Sequence, residues 1–177
     1  VSLSGTTKGL LINYACHPVH YPDTLALTSE YPGFLCRYIE NKIPGCIPVF
    51  IQGAGADARP AGTVEGDVFV HRPYKYIQEM ASDMGNSIIQ HLAENKMKRM
   101  SPEFSSAVFD ITIPVEDEGI NYFRDCINDE SLSAHLRRNA LYMAINYKDL
   151  DDSFTLTCGI IKLSENLVIV HMGGEPC

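Results

Sequence analysis

The sequence predicts an α/β fold: a mixed β-sheet in the order β-α-β-α-β-α-β-β, with helices packed on the sheet. Three observations carry this. Short apolar runs of strand length, Leu10–Ile12, Ile47–Ile51 and Leu167–Val170, alternate with stretches whose apolar residues recur at helical spacing. Helical stretches after the first two strands suit right-handed crossovers, and so parallel pairing. The last two strands are separated only by Ser164-Glu165-Asn166, a hairpin signal that adds an antiparallel pair.

Bulk composition narrows the function classes. A chain of 177 residues fits a single domain with a sizeable core, and 45% hydrophobic with 20% charged residues is ordinary for a globular protein. The net charge is -8 with no long basic run, which speaks against nucleic acid and anionic membrane surfaces as main partners. No apolar run reaches the ~18 residues of a spanning helix. The six cysteines show no CxxC pairing. They read as buried free thiols, which favours a reducing, cytoplasmic compartment. The chain opens on Val1 with neither methionine nor signal peptide, and it reads as a segment of a longer protein. Edges exposed by truncation would favour self-association.

The first strand, Leu10–Ile12, runs into Asn13-Tyr14-Ala15-Cys16-His17-Pro18. A residue before proline is pushed towards extended geometry, so His17 belongs at the carboxyl end of a strand on a stiff loop. Cys16 beside it is a ligand or nucleophile by residue type, or a small apolar filler. A helix opens near Tyr31-Pro32, with Thr28 or Ser29 as its cap, and buries Phe34, Leu35, Tyr38 and Ile39 before Pro44-Gly45 ends it. Ile47–Ile51 is the second strand. The loop after it, Gly53–Pro60, is rich in small residues that let a backbone approach closely. It lacks the Walker lysine and a full GxGxxG, so it does not read as a phosphate loop.

Ala61–Val70 reads as a connection, and Tyr74 to about Met97 as a long helix with Tyr76, Ile77, Met80, Met84, Ile88 and Leu92 on one face. Phe104–Pro114 alternates as a strand with one wetter face. Ile120–Tyr147 is a helical region interrupted near Asn128–Ser131, and Phe154–Leu163 with Leu167–His171 form the hairpin. If the last strand runs parallel to the first two, the His17 loop, the Gly53–Pro60 loop and the Gly173–Pro176 turn meet at one sheet edge.

Histidine and glutamate from separate strand ends are a frequent zinc-ligand pair. His17 and Glu175 are the candidate metal ligands. His20 and His171 are candidate thirds, although His171 falls where a strand residue faces the core. Asp57 could bind the metal, hydrogen-bond a ligand histidine or stabilise its own loop. The plainer alternatives are a His17 that only caps its strand and a solvated Glu175 beside a turn glycine.

Four motifs occur in order: NYACHPV at Asn13–Val19, SEYPG at Ser29–Gly33, FIQGAGADARP at Phe50–Pro60 and GGEP at Gly173–Pro176. Together they resemble the bacterial branch of the neutral/alkaline non-lysosomal ceramidase family, over nearly the whole chain. The resemblance implies a zinc-dependent hydrolase of amide bonds, with His17 and Glu175 as zinc ligands and a small-molecule amide or lipid, of the sphingolipid kind, as substrate. It also implies a histidine upstream and a tyrosine downstream as further ligands, an additional immunoglobulin-like domain, and a secreted or periplasmic setting as the alternative to the cytoplasm. Without those further ligands, the chain by itself is expected to be metal-poor and inactive.

One departure bears on the substrate. Ceramidases read Gly-Asp-Val-Ser-Pro after the second strand, with a catalytic serine; here Ala56-Asp57-Ala58-Arg59-Pro60 occupies that stretch. Asp57 and Arg59 are the candidate catalytic residues. A guanidinium, always protonated, is no nucleophile, but it can bind a carboxylate or phosphate or stabilise an oxyanion. A plain salt bridge that tethers the loop is the structural alternative. The competing function is a non-catalytic domain of the same fold that binds a small anionic or sugar-like ligand through Arg59, His20 and the glycine loop.

Overall fold

The computed structural model describes residues 5–19, 27–66, 68–94, 97–114, 119–149 and 152–174. Helices and strands are both present, as the α/β reading requires. In order they are β1 (Gly9–Tyr14), α1 (Glu30–Lys42), β2 (Ile47–Gln52), β3 (Val64–Glu65), β4 (Val68–Phe69), α2 (Tyr74–Ala93), β5 (Ser105–Pro114), α3 (Gly119–Asn128), α4 (Ala134–Ile145), β6 (Ser153–Ser164) and β7 (Leu167–Met172). Length alone reads as a single domain. Packing groups the chain into two compact units, Val1–Met100 and Ser101–Gly174.

In the first unit β1 and β2 pair in parallel, from Gly9 opposite Ile47 to Tyr14 opposite Gln52, with α1 as the connection. The apolar stripes of α1 and α2 make the core. Leu35, Ile39, Ile77 and Ala81 are fully buried, with Tyr31 and Cys46 beside them. Leu10, Ile12 and Phe50 pack against this cluster from the strands, and Met80, Met84 and Ile88 from α2. The helices approach closely at Gly85, where a Cβ would lie 2.5 Å from the Tyr38 ring. The connection after β2 holds more structure than its sequence announces. A 3₁₀ turn at Ala61–Thr63 leads into a small antiparallel hairpin of β3 and β4. Two-residue strands carry no period from which they could be read.

In the second unit β5, β6 and β7 form an antiparallel sheet in that order. The register sets Phe109 opposite Cys158 and Ile111 opposite Leu156 on an apolar face, and Asp110 opposite Thr157 on the wetter one. The Thr157 hydroxyl donates to the Asp110 carboxylate at 2.8 Å. The helical region is interrupted where expected. The Asp129 carboxylate accepts from the Ser131 hydroxyl at 2.6 Å and from its backbone N–H at 2.9 Å. These bonds hold the Asp129 carboxyl below the usual range. Ser133 then caps α4 by accepting from the Leu136 N–H.

Among the described residues, parallel pairing is found in the β1–β2 sheet and antiparallel pairing in the β3–β4 and β5–β6–β7 sheets, so no single described sheet is mixed. Chain order fixes which strands are consecutive, not which edges meet, so the single sheet did not follow from it. Among the described residues Cys16, Cys36, Cys46, Cys126 and Cys158 are free thiols. No described helix is long and apolar enough to cross a membrane.

Candidate functional site

Because β1 and β2 are parallel neighbours, their carboxyl ends emerge side by side, the place where open α/β sheets put ligand-binding loops. The two loops are stitched together. The Gly53 N–H donates to the Tyr14 carbonyl at 3.0 Å, and the His17 N–H donates to the Ala58 carbonyl at 2.9 Å. Gly55 is buried between them, and a Cβ there would fall 2.9 Å from the Cys16 nitrogen. Only glycine permits that approach without a shift of backbone. Ala58 closes the turn by donating to the Gly55 carbonyl at 3.0 Å.

His17 is half-buried, and its Nε2 lies 3.0 Å from the Ala56 carbonyl oxygen. A carbonyl only accepts, so the contact is made by an Nε2–H, and in the neutral ring the lone pair is then on Nδ1. A histidine that donates one ring N–H to a backbone carbonyl has the arrangement typical of metal-ligating histidines, in which the carbonyl fixes both tautomer and ring orientation. His17 therefore fits a zinc donor in residue type and in its supporting contact.

Tyr31 braces this corner. Its ring is almost fully buried, edge-on to Phe50 at 5.7 Å and to Tyr14 at 6.4 Å. Its hydroxyl donates to the Cys16 carbonyl at 2.7 Å, one peptide before His17. Burial, with Cys16 and Tyr14 nearby, pushes the Tyr31 hydroxyl well above the usual tyrosine range, so it stays a donor. Burial likewise pushes the Cys16 thiol up, in keeping with a small filler. Tyr31→Phe keeps the ring and strands a buried carbonyl. It is expected to cost about 1–3 kcal/mol, read as a lowered urea midpoint with an unchanged slope.

Glu30 is a site neighbour that pattern reading missed. It is 5% exposed and has φ +51°, the one non-glycine positive φ among the described residues. Its carboxylate accepts from the Tyr31 N–H at 3.1 Å, and its own N–H donates to the Thr28 hydroxyl oxygen at 3.1 Å. Of the two expected caps, Thr28 makes this bond and the Ser29 side chain makes none. The sequence carries no signal of this burial, because Glu is seldom fully buried without partners and so reads as a surface residue.

Asp57 is exposed, between the two residues whose carbonyls contact His17. Arg59 is exposed on the same loop, and its guanidinium carbon sits 4.0 Å from the centre of the Phe69 ring. A cation–π contact holds it, and among the described residues it forms no salt bridge. The structure thus brings His17, Asp57 and Arg59 onto adjoining loops. His171 is exposed on β7 rather than turned into a core. It lies opposite Gly159, where a Cβ would collide with its ring. By register it shares the face of Gly159, Thr157 and Asp110, the wetter one, so the alternation places His171 outside. Glu175 and His20 lie outside the described residues. Among the described residues, no group of three or more His, Cys, Asp or Glu is arranged to hold a metal ion.

No family model, curated protein or solved structure matches this chain.

Proposed function

We propose that this chain supplies part of the active site of a zinc-dependent amide hydrolase resembling the neutral ceramidases. The single observation that supports it best is the His17–Ala56 contact, which sets the lone pair on Nδ1 at the carboxyl end of a parallel strand. His17 and Glu175 would hold the zinc, completed by ligands elsewhere in the full-length protein. Zinc supplies, when bound, Lewis acidity towards an amide carbonyl and water. The chain's own residues keep the site in shape. Tyr31 holds the Cys16 carbonyl, Ala56 and Ala58 hold His17, and Asp57 and Arg59 stand on the same loop for substrate contact. The reaction consumes one amide and one water and yields a carboxylic acid and an amine.

The test is hydrolysis by the full-length protein of a panel of N-acyl amines, N-acyl amino acids and ceramides, with and without chelation. Activity is expected to vanish on removal of zinc and to return on its readdition. Hydrolysis that persists in the chelated protein would contradict the reading.

A further inference from the structure

The segment after β2 holds two arginines in different ways. Arg72 is tied down: its Nε donates to the Gly62 carbonyl, and a terminal nitrogen lies 2.8 Å from the Glu65 carboxylate. The hairpin of β3 and β4 is anchored independently as well. Thr63 is buried, its hydroxyl donates to the Pro60 carbonyl at 2.7 Å, and Val70 N–H donates to the Thr63 carbonyl at 2.9 Å. Arg59 is not needed for that anchoring.

Among the described residues Arg59 has no carboxylate partner, and it forms no ion pair with Asp57 on its own loop. Its guanidinium rests on the Phe69 ring. A guanidinium over a ring face keeps its N–H donors in its own plane, where a carboxylate or phosphate can take two of them side by side. Phe69 is 61% exposed, so the stacked pair stands at the surface, open to a ligand. Arg59 also directly follows Ala58, whose carbonyl accepts from His17. The cation is therefore rooted next to the candidate metal ligand.

We infer that the β3–β4 hairpin, through Phe69, presents Arg59 as an oxyanion-recognition element, so that the substrate carries an oxyanion besides its amide. This rests on the reading of the His17 loops as a substrate site. The chemistry shared by a carboxylate and a phosphate is a planar or tetrahedral group with two adjacent oxygens. Phe69 fixes the guanidinium and lowers the ordering cost of binding.

The experiment is NMR on the ¹⁵N-labelled full-length protein without zinc. The probes are N-hexanoylglycine, its uncharged analogue N-hexanoylglycinamide, and inorganic phosphate. N-hexanoylglycine is expected to shift the Arg59 Nε–H resonance saturably and to bind about tenfold more tightly than the amide, as for a charge-assisted hydrogen bond. Arg59→Gln should abolish the preference, and Phe69→Leu should reduce it severalfold with the amide spectrum otherwise intact. Phosphate that displaces N-hexanoylglycine at lower concentration assigns the oxyanion as phosphate; weaker displacement assigns it as carboxylate. No shift at Arg59 with either anion, or equal binding of acid and amide, overturns the inference. Binding is read without hydrolysis and without metal, so this failure stays distinct from failure of the zinc reading.

Discussion

His17→Ala is expected to remove bound zinc and amide hydrolysis together from the full-length protein. The substitution deletes the imidazole that the Ala56 carbonyl orients beyond the end of β1. Its effect on folding should be small. The backbone bond from residue 17 to Ala58 survives, and loss of the ring's bond to Ala56 costs about 1 kcal/mol. Loss of one of a few ligands, by contrast, removes much of the coordination that makes a zinc site tight. Zinc per chain by mass spectrometry and turnover of an N-acyl substrate should therefore fall to background, with the melting temperature of the zinc-free protein nearly unchanged. Turnover in the variant at the original rate would contradict the assignment.

Leu35→Ala is expected to destabilise the first unit by about 2–5 kcal/mol, the range for a fully buried leucine that leaves a cavity. Leu35 is fully buried on α1, amid Tyr31, Ile39, Ile77 and Ala81. The parallel sheet beneath has only two strands, so the helical stripes carry most of this core. The effect should reach the site as well, since Tyr31, one turn earlier, holds the Cys16 carbonyl. Ile145→Ala makes the contrast: Ile145 is 71% exposed, and its replacement should stay within about 0.5 kcal/mol. Urea unfolding of the two variants separates these values. A shift below about 1 kcal/mol for Leu35→Ala would show that this cluster is not the core.

The sequence was most legible where one period dominates. The stripes at Leu35 and Ile39 and at Ile77, Met80, Met84 and Ile88 locate the core because a helix buries one face. The alternation of Phe109, Ile111 and Ile113 against Asp110 and Thr112 is the facing that the register shows. His17 at a strand end followed from the proline after it. Sheet membership was not legible, because the separation of β1–β2 from β5–β7 depends on edges meeting in space. The β3–β4 hairpin is too short for any period, and so the platform under Arg59 was invisible. Tyr31 reads only as the opening of the first helix; that its hydroxyl reaches Cys16 is a fact of packing. Glu30 carries no mark of its role in the sequence; its burial and positive φ emerge only in three dimensions.

The most direct test of the central claim is the ¹⁵N spectrum of the His17 imidazole in the full-length protein, before and after zinc is added. With Nε2–H held by the Ala56 carbonyl, Nε2 should appear protonated throughout, and the Nδ1 resonance should move on addition of zinc. A proton found on Nδ1, or an Nδ1 resonance indifferent to zinc, would contradict the assignment of His17 as a metal ligand.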